Sequence, residues 1–276
     1  MSTTIIHSNT LSDQQRQAIS QTLGAEPTAY AQHFRVQHTA VDHAALETLR
    51  EACQLDINTL PADFDPSSVG LLITDMDSTL INIECVDEIA DFIGVKPEVS
   101  AITEAAMRGE LDFAASLRKR VALLKGLDVA ALQHVYDERL QLNPGAEALL
   151  AGLKSRHIKM ALVSGGFTFF TERLKPRLGL DFTLANVLAQ EEGKLKGHVE
   201  GTIVGAEAKA EFLQQLCRQL GISTQQTIAM GDGANDLQML GIAGLGVAYH
   251  AKPTVRAQAD VSLQFSGLNA VLDFLV

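Results

Sequence analysis

Short apolar runs, each followed at once by polar residues, are the main pattern along this chain. Three of these runs lead into Asp75, into Ser164-Gly165-Gly166 and into Gly231-Asp232-Gly233. Such runs are too short for helices and are typical of strands that are covered on both faces. Because the carboxyl ends of parallel strands open on one edge of a sheet, we expect the three polar motifs to meet there.

Segments of helical spacing separate these strands and predict an α/β fold with a parallel sheet. Four predicted helices, at 84–93, 98–108, 112–124 and 129–140, follow the first strand directly and indicate a helical insertion at about 82–142. Further helices are predicted at 145–155, 168–178 and 206–220, strands at 159–163, 182–188, 227–230, 244–249 and 260–265, and a hairpin turn at 193–197.

The first part of the chain has a pattern of its own. Strands are predicted at 3–6 and 30–39 and helices at 12–23 and 41–53, while 58–66 contains two prolines and has no period, which is typical of a linker. We therefore expect a small N-terminal α+β domain at residues 1–65 and a main domain at 66–276. No recognisable chemistry lies in the first domain. A packing or dimerisation role is favoured there, and a regulatory ligand site is an open alternative.

Composition narrows the class of protein. A chain of 276 residues with 46% hydrophobic residues can bury a full core, and its formal charge of -11 argues against nucleic acid and anionic membrane surfaces as partners. No basic leader and no apolar stretch long enough to span a bilayer is found. Three widely spaced cysteines predict a reducing compartment. We expect a cytoplasmic monomer or homodimer that acts on a small molecule.

Asp75 and Asp77 lie two residues apart at the end of the first strand, where period-2 geometry directs both carboxylates to one side. Two like charges so close favour either a hard metal ion between them or a proton on one of them. Both explanations can hold together. The structural alternative is a solvated, aspartate-rich turn.

Two further motifs add groups that suit a phosphate and a metal ion. Ser164-Gly165-Gly166 precedes a helical stretch, so its hydroxyl and backbone N–H groups are predicted to cradle an anion, unless it is an ordinary glycine-rich turn. Asp232 and Asp236 supply carboxylate oxygens, which Mg²⁺ prefers, unless they only cap a helix. Lys209 precedes the last motif on a helix, where a solvated surface charge is the ordinary interpretation.

Taken together, these motifs resemble those of the haloacid dehalogenase superfamily. The resemblance rests on Asp75-Met76-Asp77-Ser78-Thr79, Ser164-Gly165-Gly166, Lys209 and Gly231-Asp232-Gly233-Ala234-Asn235-Asp236, in this order. The blocks from Asp75 to Val86, from Ala106 to Phe113 and from Ser116 to Val121 are similar to the phosphoserine phosphatases of that superfamily. The resemblance covers about residues 69–270 and implies a Rossmann-like core with an inserted helical cap.

The resemblance also implies a reaction, namely hydrolysis of O-phospho-L-serine to L-serine and phosphate, the last step of L-serine biosynthesis. Asp75 is then the nucleophile that forms an aspartyl phosphate, and Asp77 is the proton donor and acceptor. Lys209, Ser164 and the Gly165 N–H are expected to hold the phosphoryl oxygens.

The same resemblance implies a Mg²⁺ site and a set of substrate contacts. The ion is expected on the Asp75 carboxylate, the Asp77 backbone carbonyl and Asp232, with Asp236 in support. For the substrate, the implied contacts are Glu84 on the ammonium, Arg120 on the carboxylate, Met107 and Phe113 as an apolar lid, and Asn235 near the metal. Without the resemblance, the cap residues are ordinary helix and core residues.

Two other functions are kept open. One is a phosphatase or phosphotransferase that acts on another small phosphomonoester. The other is a sensor in which the N-terminal unit binds an amino acid and the core only reports phosphate ligands.

Overall fold

The computed structural model describes residues 2–39, 41–107 and 110–275, and only the backbone of His43 and Met107. Two sheets organise this part of the chain, one of four strands and one of seven. The predicted α/β class with a parallel core sheet is confirmed.

The four-stranded sheet and its helices are formed by the start of the chain. They are β1 (Ser2–Ile6), α1 (Asp13–Leu23), β2 (Thr28–Tyr30), β3 (His33–His38), α2 (His43–Cys53) and β4 (Ile57–Thr59). The strands lie in the order β2-β3-β1-β4 and all pair antiparallel. Helix α1 begins where Ser12 and Gln15 form a reciprocal capping box and ends at Gly24, whose φ of 72° suits glycine.

This sheet corrects two expectations about the first domain. Strand β2 was not predicted, and β4 falls partly within the segment that the prolines marked as a linker. Both strands have three residues, too few for a hydrophobic period, and they form because a neighbouring strand satisfies their backbone groups.

The central strand of the larger sheet is β5 (Leu71–Thr74), whose four residues are all buried. The four helices of the insertion follow it: α3 (Cys85–Phe92), α4 (Lys96–Met107), α5 (Phe113–Ala122) and α6 (Ala130–Glu138). The helical cap is therefore confirmed as part of the fold.

The remaining elements complete an α/β core. In chain order they are α7 (Ala146–Ser155), β6 (Lys159–Phe167), α8 (Thr168–Leu178), β7 (Phe182–Glu191), β8 (Lys194–Glu200), α9 (Ala206–Leu220), β9 (Thr227–Gly231), α10 (Leu237–Ile242), β10 (Leu245–Tyr249), α11 (Pro253–Arg256) and β11 (Val261–Leu263). The strand order is β11-β10-β9-β5-β6-β7-β8, and only β8 runs antiparallel to its neighbour. The predicted hairpin at 193–197 is present between β7 and β8, but its turn is at residues 192–193, because β8 pairs with β7 from Lys194 onward.

The two ends of the cap insertion are tied together beside the core. Ile81 and Leu142 form an antiparallel bridge, and the Asn82 N–H donates to the Gln141 carbonyl over 3.0 Å. The side-chain amide of Asn143 donates to the carbonyls of Thr79 and Ile81, over 2.8 and 3.1 Å. These bonds hold together the two chain segments that connect the cap to the core.

The N-terminal sheet is joined to the edge of the core sheet by hydrogen bonds. The Asn58 amide pairs with the backbone N–H and carbonyl of Ser262 in β11, over 2.9 Å each. The Asp56 carboxylate accepts the backbone N–H groups of residues 264, 265 and 266 at 2.7, 3.0 and 2.8 Å. The structure therefore fixes β4 against β11 through polar contacts.

Candidate active site

The polar motifs of three neighbouring strands lie at one edge of the core sheet. Strand β5 lies between β9 and β6 in parallel register, as the alternation of strands and helices predicts. The Asp75 N–H donates to the Met230 carbonyl over 2.9 Å, so the backbone of Asp75 is held to the next strand. Asp75 itself is 5% exposed and lies at the base of a cavity.

Lys209 joins two carboxylates at this edge. Its ammonium contacts Asp75 Oδ1 at 2.5 Å and Asp236 Oδ1 at 2.7 Å, and its side chain is completely buried. Burial by itself lowers the pKa of Lys209, but the charges of Asp236 and Asp75 outweigh burial and raise the pKa above the usual lysine value. Lys209 is therefore a charged group of the site, and the surface-charge interpretation of this lysine is wrong.

Asp77 lies on the irregular turn that follows Asp75. Its Oδ1 accepts the backbone N–H of Cys85 over 3.1 Å, and its Oδ2 is 3.4 Å from the Ser164 hydroxyl. Burial raises the pKa of Asp77 to about 7. A carboxyl with such a pKa carries a proton for part of the time near neutral pH, which a general acid requires. Burial also raises the pKa of the Cys85 thiol well above its usual value, so this cysteine is not an activated nucleophile.

Ser164-Gly165-Gly166 lies in β6, which continues to Phe167, beyond the predicted strand end at 163, and α8 begins directly after it at Thr168, as the sequence predicts. The Ser164 hydroxyl accepts the Gly166 N–H over 2.8 Å. Asn186, which the sequence did not single out, donates to the Gly165 carbonyl and accepts the Val204 N–H, over 2.8 Å each. Asn186 therefore fixes the orientation of the Gly165 peptide from the neighbouring strand.

Substitution of Gly166 tests how closely this segment packs on the two catalytic candidates. A Cβ at position 166 would lie 2.7 Å from Asp77 Oδ2 and 3.0 Å from Ser164 Oγ. We expect Gly166→Ala to lower kcat about 100-fold, because small displacements of reacting groups have effects of that order. Steady-state kinetics of phosphate release, the activity that the resemblance implies, provide the measurement. Gly241→Ala is the control, since a Cβ at that helical position meets nothing within 4 Å, and unchanged kinetics in both variants would contradict the expectation.

Residues of the cap close the cavity opposite Asp75. The cavity has a volume of about 340 Å³ and includes Glu84, Phe113, Arg120 and Asn235 in its lining. Glu84 accepts a 2.7 Å hydrogen bond from the Ser78 hydroxyl. The buried Nε of Arg120 has no hydrogen-bond partner among the described residues. The predicted substrate contact Met107 ends α4, and its side chain lies outside the part of the chain that the structure describes.

Gly165 allows the cap to approach the core closely. A Cβ at Gly165 would lie 2.7 Å from the tip of the Phe113 ring. The ring therefore packs over the backbone of the Ser164-Gly165-Gly166 segment, where a larger residue would keep it away.

Burial and neighbouring charges shift the pKa values of the two charged cap residues Glu84 and Arg120. Burial raises the pKa of Glu84 and lowers that of Arg120, while the charge of each partly offsets the shift of the other. Asp87 also favours the charged form of Arg120 and lines the same cavity. These groups provide a negative and a positive charge on one wall of the cavity.

Besides Asn186, the sequence analysis assigned no role to three polar residues at the site, namely Asp87, Lys252 and Thr79. Asp87 lies three residues after Glu84 on α3, a helical spacing that would have indicated a shared face. Lys252 lines the cavity, and its N–H donates to the Asp232 carbonyl over 3.3 Å. The Thr79 hydroxyl donates to Asp232 Oδ1 over 3.3 Å. Thr79 belongs to the first motif, but no role was assigned to it, and no pattern in the sequence marks Lys252, which reaches the site through a loop contact.

The donor atoms present suit a hard divalent cation. Asp75, Asp232 and Asp236 each offer a carboxylate oxygen, and these oxygens lie within 4.8 Å of one another. Burial, followed by the charge of Asp236, raises the pKa of Asp232 to about 6. A cation would offset this repulsion, and oxygen donors are the ligands that a hard divalent cation prefers.

Within the described residues, no helix is long and apolar enough to cross a membrane. The three cysteines, at positions 53, 85 and 217, are free and buried.

Comparison with known proteins agrees with this arrangement. The family model of haloacid dehalogenase-like hydrolases matches residues 69–244. A phosphoserine phosphatase of Polaromonas sp. is 55% identical over 226 residues, which cover 80% of this chain and 96% of the relative.

Solved structures share the fold over nearly the whole chain. An unliganded probable phosphoserine phosphatase from Vibrio cholerae has a TM-score of 0.85 at 39% identity, covering 99% of this chain and 86% of that one. A HAD-family hydrolase from Salmonella enterica serovar Typhi has a TM-score of 0.91 at 34% identity, covering 100% and 99%. With the motifs at the sheet edge and the helical cap above them, these similarities show that the chain belongs to the haloacid dehalogenase-like hydrolases and, among them, to the phosphoserine phosphatase family.

Proposed function

We propose that this chain is a phosphatase that hydrolyses O-phospho-L-serine to L-serine and phosphate, with Mg²⁺ as its metal ion. The observation that carries the proposal is a single cavity whose base holds Asp75 and Asp77 and whose cap wall holds Glu84 and Arg120. This cavity combines groups suited to phosphoryl transfer with a pair of charges that complements an amino acid.

The first step is a displacement at phosphorus. The Asp75 carboxylate forms a bond to phosphorus while the bond from phosphorus to the serine oxygen breaks. Asp77 gives its proton to that departing oxygen, so that L-serine leaves as a neutral alcohol. The raised pKa of Asp77, about 7, supports this role because the proton is available near neutral pH.

The second step returns the enzyme to its starting state. Asp77, now ionised, takes a proton from a water molecule, and the water oxygen attacks the phosphorus of the aspartyl phosphate. The bond from phosphorus to Asp75 then breaks and inorganic phosphate is released. During both steps Lys209, the Ser164 hydroxyl and the Gly165 N–H hold the phosphoryl oxygens.

Asp75, Asp232 and Asp236 would hold Mg²⁺ with the Asp77 backbone carbonyl, and their grouped oxygens support this set. When bound, the ion would neutralise charge on the phosphoryl group. Lys209 donates to both Asp75 and Asp236 and so holds these two carboxylates in place.

Selectivity is assigned to the cap wall. The Arg120 guanidinium pairs with the substrate carboxylate, Glu84 accepts the ammonium, and Asn235 contributes near the phosphate. Phe113, packed over Gly165, excludes water from the reacting atoms.

The division of the chain is also proposed here. Residues 1–65 form an N-terminal domain and residues 66–276 form the catalytic part, with the cap at about 82–142. The separate four-stranded sheet and the bridge between Ile81 and Leu142 support these boundaries. The free cysteines support a cytoplasmic location.

Arg120→Ala tests the substrate. We expect kcat/KM for O-phospho-L-serine to fall about 10- to 100-fold, the usual size of a lost charged hydrogen bond, and kcat/KM for an aryl phosphate to change little. Phosphate release with Mg²⁺, and with a chelator as the blank, provides the measurement.

Arg118→Ala is the matched control, because Arg118 is exposed on the same helix. Equal losses on both substrates in the Arg120 variant would contradict the carboxylate contact. An aryl phosphate preferred by the unmodified enzyme would favour the alternative of another phosphomonoester.

A further inference from the structure

A second cavity lies between the N-terminal sheet and the edge of the core sheet. Its volume is about 310 Å³, and its lining includes Arg50, His38 and Leu46 from the first part of the chain and Arg256, Asp260 and Val261 from the core. No described residue lines both this cavity and the active-site cavity. It is therefore a separate site in space.

Two arginines with different surroundings line this cavity. Arg50 is held by Glu47, by the Ile57 carbonyl at 2.5 Å and by Asn58 Oδ1 at 3.0 Å. Arg256, in contrast, has no salt-bridge partner in the described part of the chain, and its buried Nε has no hydrogen-bond partner there. Burial lowers the pKa of Arg50, the charges of Glu47 and Asp56 oppose that shift, and the charge of Arg256 adds to it by a smaller amount, so the two guanidinium groups lie close enough to interact.

The acid of the cavity lining is not paired with Arg256. The Asp260 carboxylate accepts the Gly246 N–H over 2.7 Å and forms no salt bridge with an arginine among the described residues. Glu47 balances the charge of Arg50, whereas Arg256 has no such partner in the described part of the chain, and a bound anion would balance its charge.

His38 supplies an unpaired polar atom at the same place. Its side chain is buried, its Nε2 is 2.7 Å from the Thr4 hydroxyl, and its Nδ1 has no partner among the described residues. Burial lowers the pKa of His38, so the ring is neutral at pH 7 and can still form a hydrogen bond. A buried polar atom without a partner destabilises the protein, and a ligand that pairs with it would remove that cost.

We propose that this cavity binds a small oxyanion, a carboxylate or a phosphate group, with Arg256 as its main contact. The planar guanidinium suits two parallel hydrogen bonds to either group. The hydroxyls of Thr59 and Ser262 line the cavity as further polar groups, and Leu46 and Val261 accommodate a small apolar body.

The place of this site in the chain gives it a connection to the active site. Arg256 ends α11, which begins directly after Lys252, and Lys252 lines the active-site cavity. An oxyanion on Arg256 would therefore bind one helical turn from a residue of the catalytic cavity. The inference itself concerns binding and does not depend on the proposed substrate.

Equilibrium dialysis of the full, Mg²⁺-loaded chain tests the proposal, with labelled inorganic phosphate in one arm and labelled acetate in the other. We expect Arg256→Gln to bind one anion fewer per chain than the unmodified protein, or to bind it at least tenfold more weakly. Arg256→Lys should keep part of the affinity, because lysine keeps the positive charge but cannot form the two parallel hydrogen bonds of a planar guanidinium. A difference that appears with phosphate alone, or with acetate alone, supports the site and identifies the anion.

Arg218→Gln is the control, because Arg218 is an exposed arginine at the end of α9. Equal stoichiometry and affinity in the unmodified protein, Arg256→Gln and Arg256→Lys would overturn the proposal. Phosphate bound at the active site does not confuse the result, since it contributes equally to every variant. The difference between variants therefore stands even if the proposed function fails.

Discussion

Asp75→Asn is expected to lower kcat for O-phospho-L-serine by about 10,000-fold or more, the order of loss that follows removal of a catalytic nucleophile. The amide oxygen cannot form the aspartyl phosphate, and no other group takes over its position at the end of β5. Lys209 keeps its second partner, Asp236, so we expect the variant to fold.

Acid-quench labelling with ³²P-phosphoserine distinguishes loss of the nucleophile from a general disturbance of the site. The unmodified enzyme should carry label on protein, and Asp75→Asn should carry none. Asp77→Asn should turn over poorly while labelling is still detectable, because that variant retains the nucleophile. Asp137→Asn, an exposed residue of the cap, is the control with normal activity. Label on the Asp75 variant would refute the assignment.

Lys209→Met is expected to remove activity and also to lower the free energy of unfolding by about 3–5 kcal/mol, the cost of leaving buried charges without their partner. Asp75 and Asp236 would then face each other with no buried cation between them. Urea unfolding in the presence of a chelator is the measurement, because a bound metal ion would replace the lost charge.

Two comparisons make this result specific to charge. Lys209→Met with Asp236→Asn should recover part of the lost stability, because one buried carboxylate is then neutral. The loss in the single variant should also be smaller at about pH 5 than at about pH 8. A buried carboxyl left without its cation has a raised pKa, so its cost grows as pH rises. A loss that is independent of pH and of Asp236 would indicate packing alone.

Much of the core could be predicted from the sequence because its signals are local. The buried run at residues 71–74 and the alternation of strands and helices after residue 144 determine a parallel sheet, and Asp75 follows a central strand for that reason. Short elements could be predicted less well from the sequence. Strands β2 and β4 have no period, and their existence depends on backbone partners far away in the chain.

The sequence also did not show which charged residues are buried at the site. Lys209 stands on a helix with ordinary spacing, and by itself it looks like a solvated residue. Only the packing of α9 against β6 and α10 buries it between Asp75 and Asp236. Lys252 and Asn186 likewise contact the site through chain segments that sequence spacing does not relate to it.

The sequence by itself determined the fold class, the order of the motifs and the identity of the acidic residues, because strand period and residue chemistry are properties of neighbouring positions. The tertiary structure decided which charges are buried together, how the cap closes over Asp75 and that the two arginines meet at the N-terminal sheet. Burial and electrostatic interaction depend on distances between residues that are remote in the chain, and no local pattern encodes those distances.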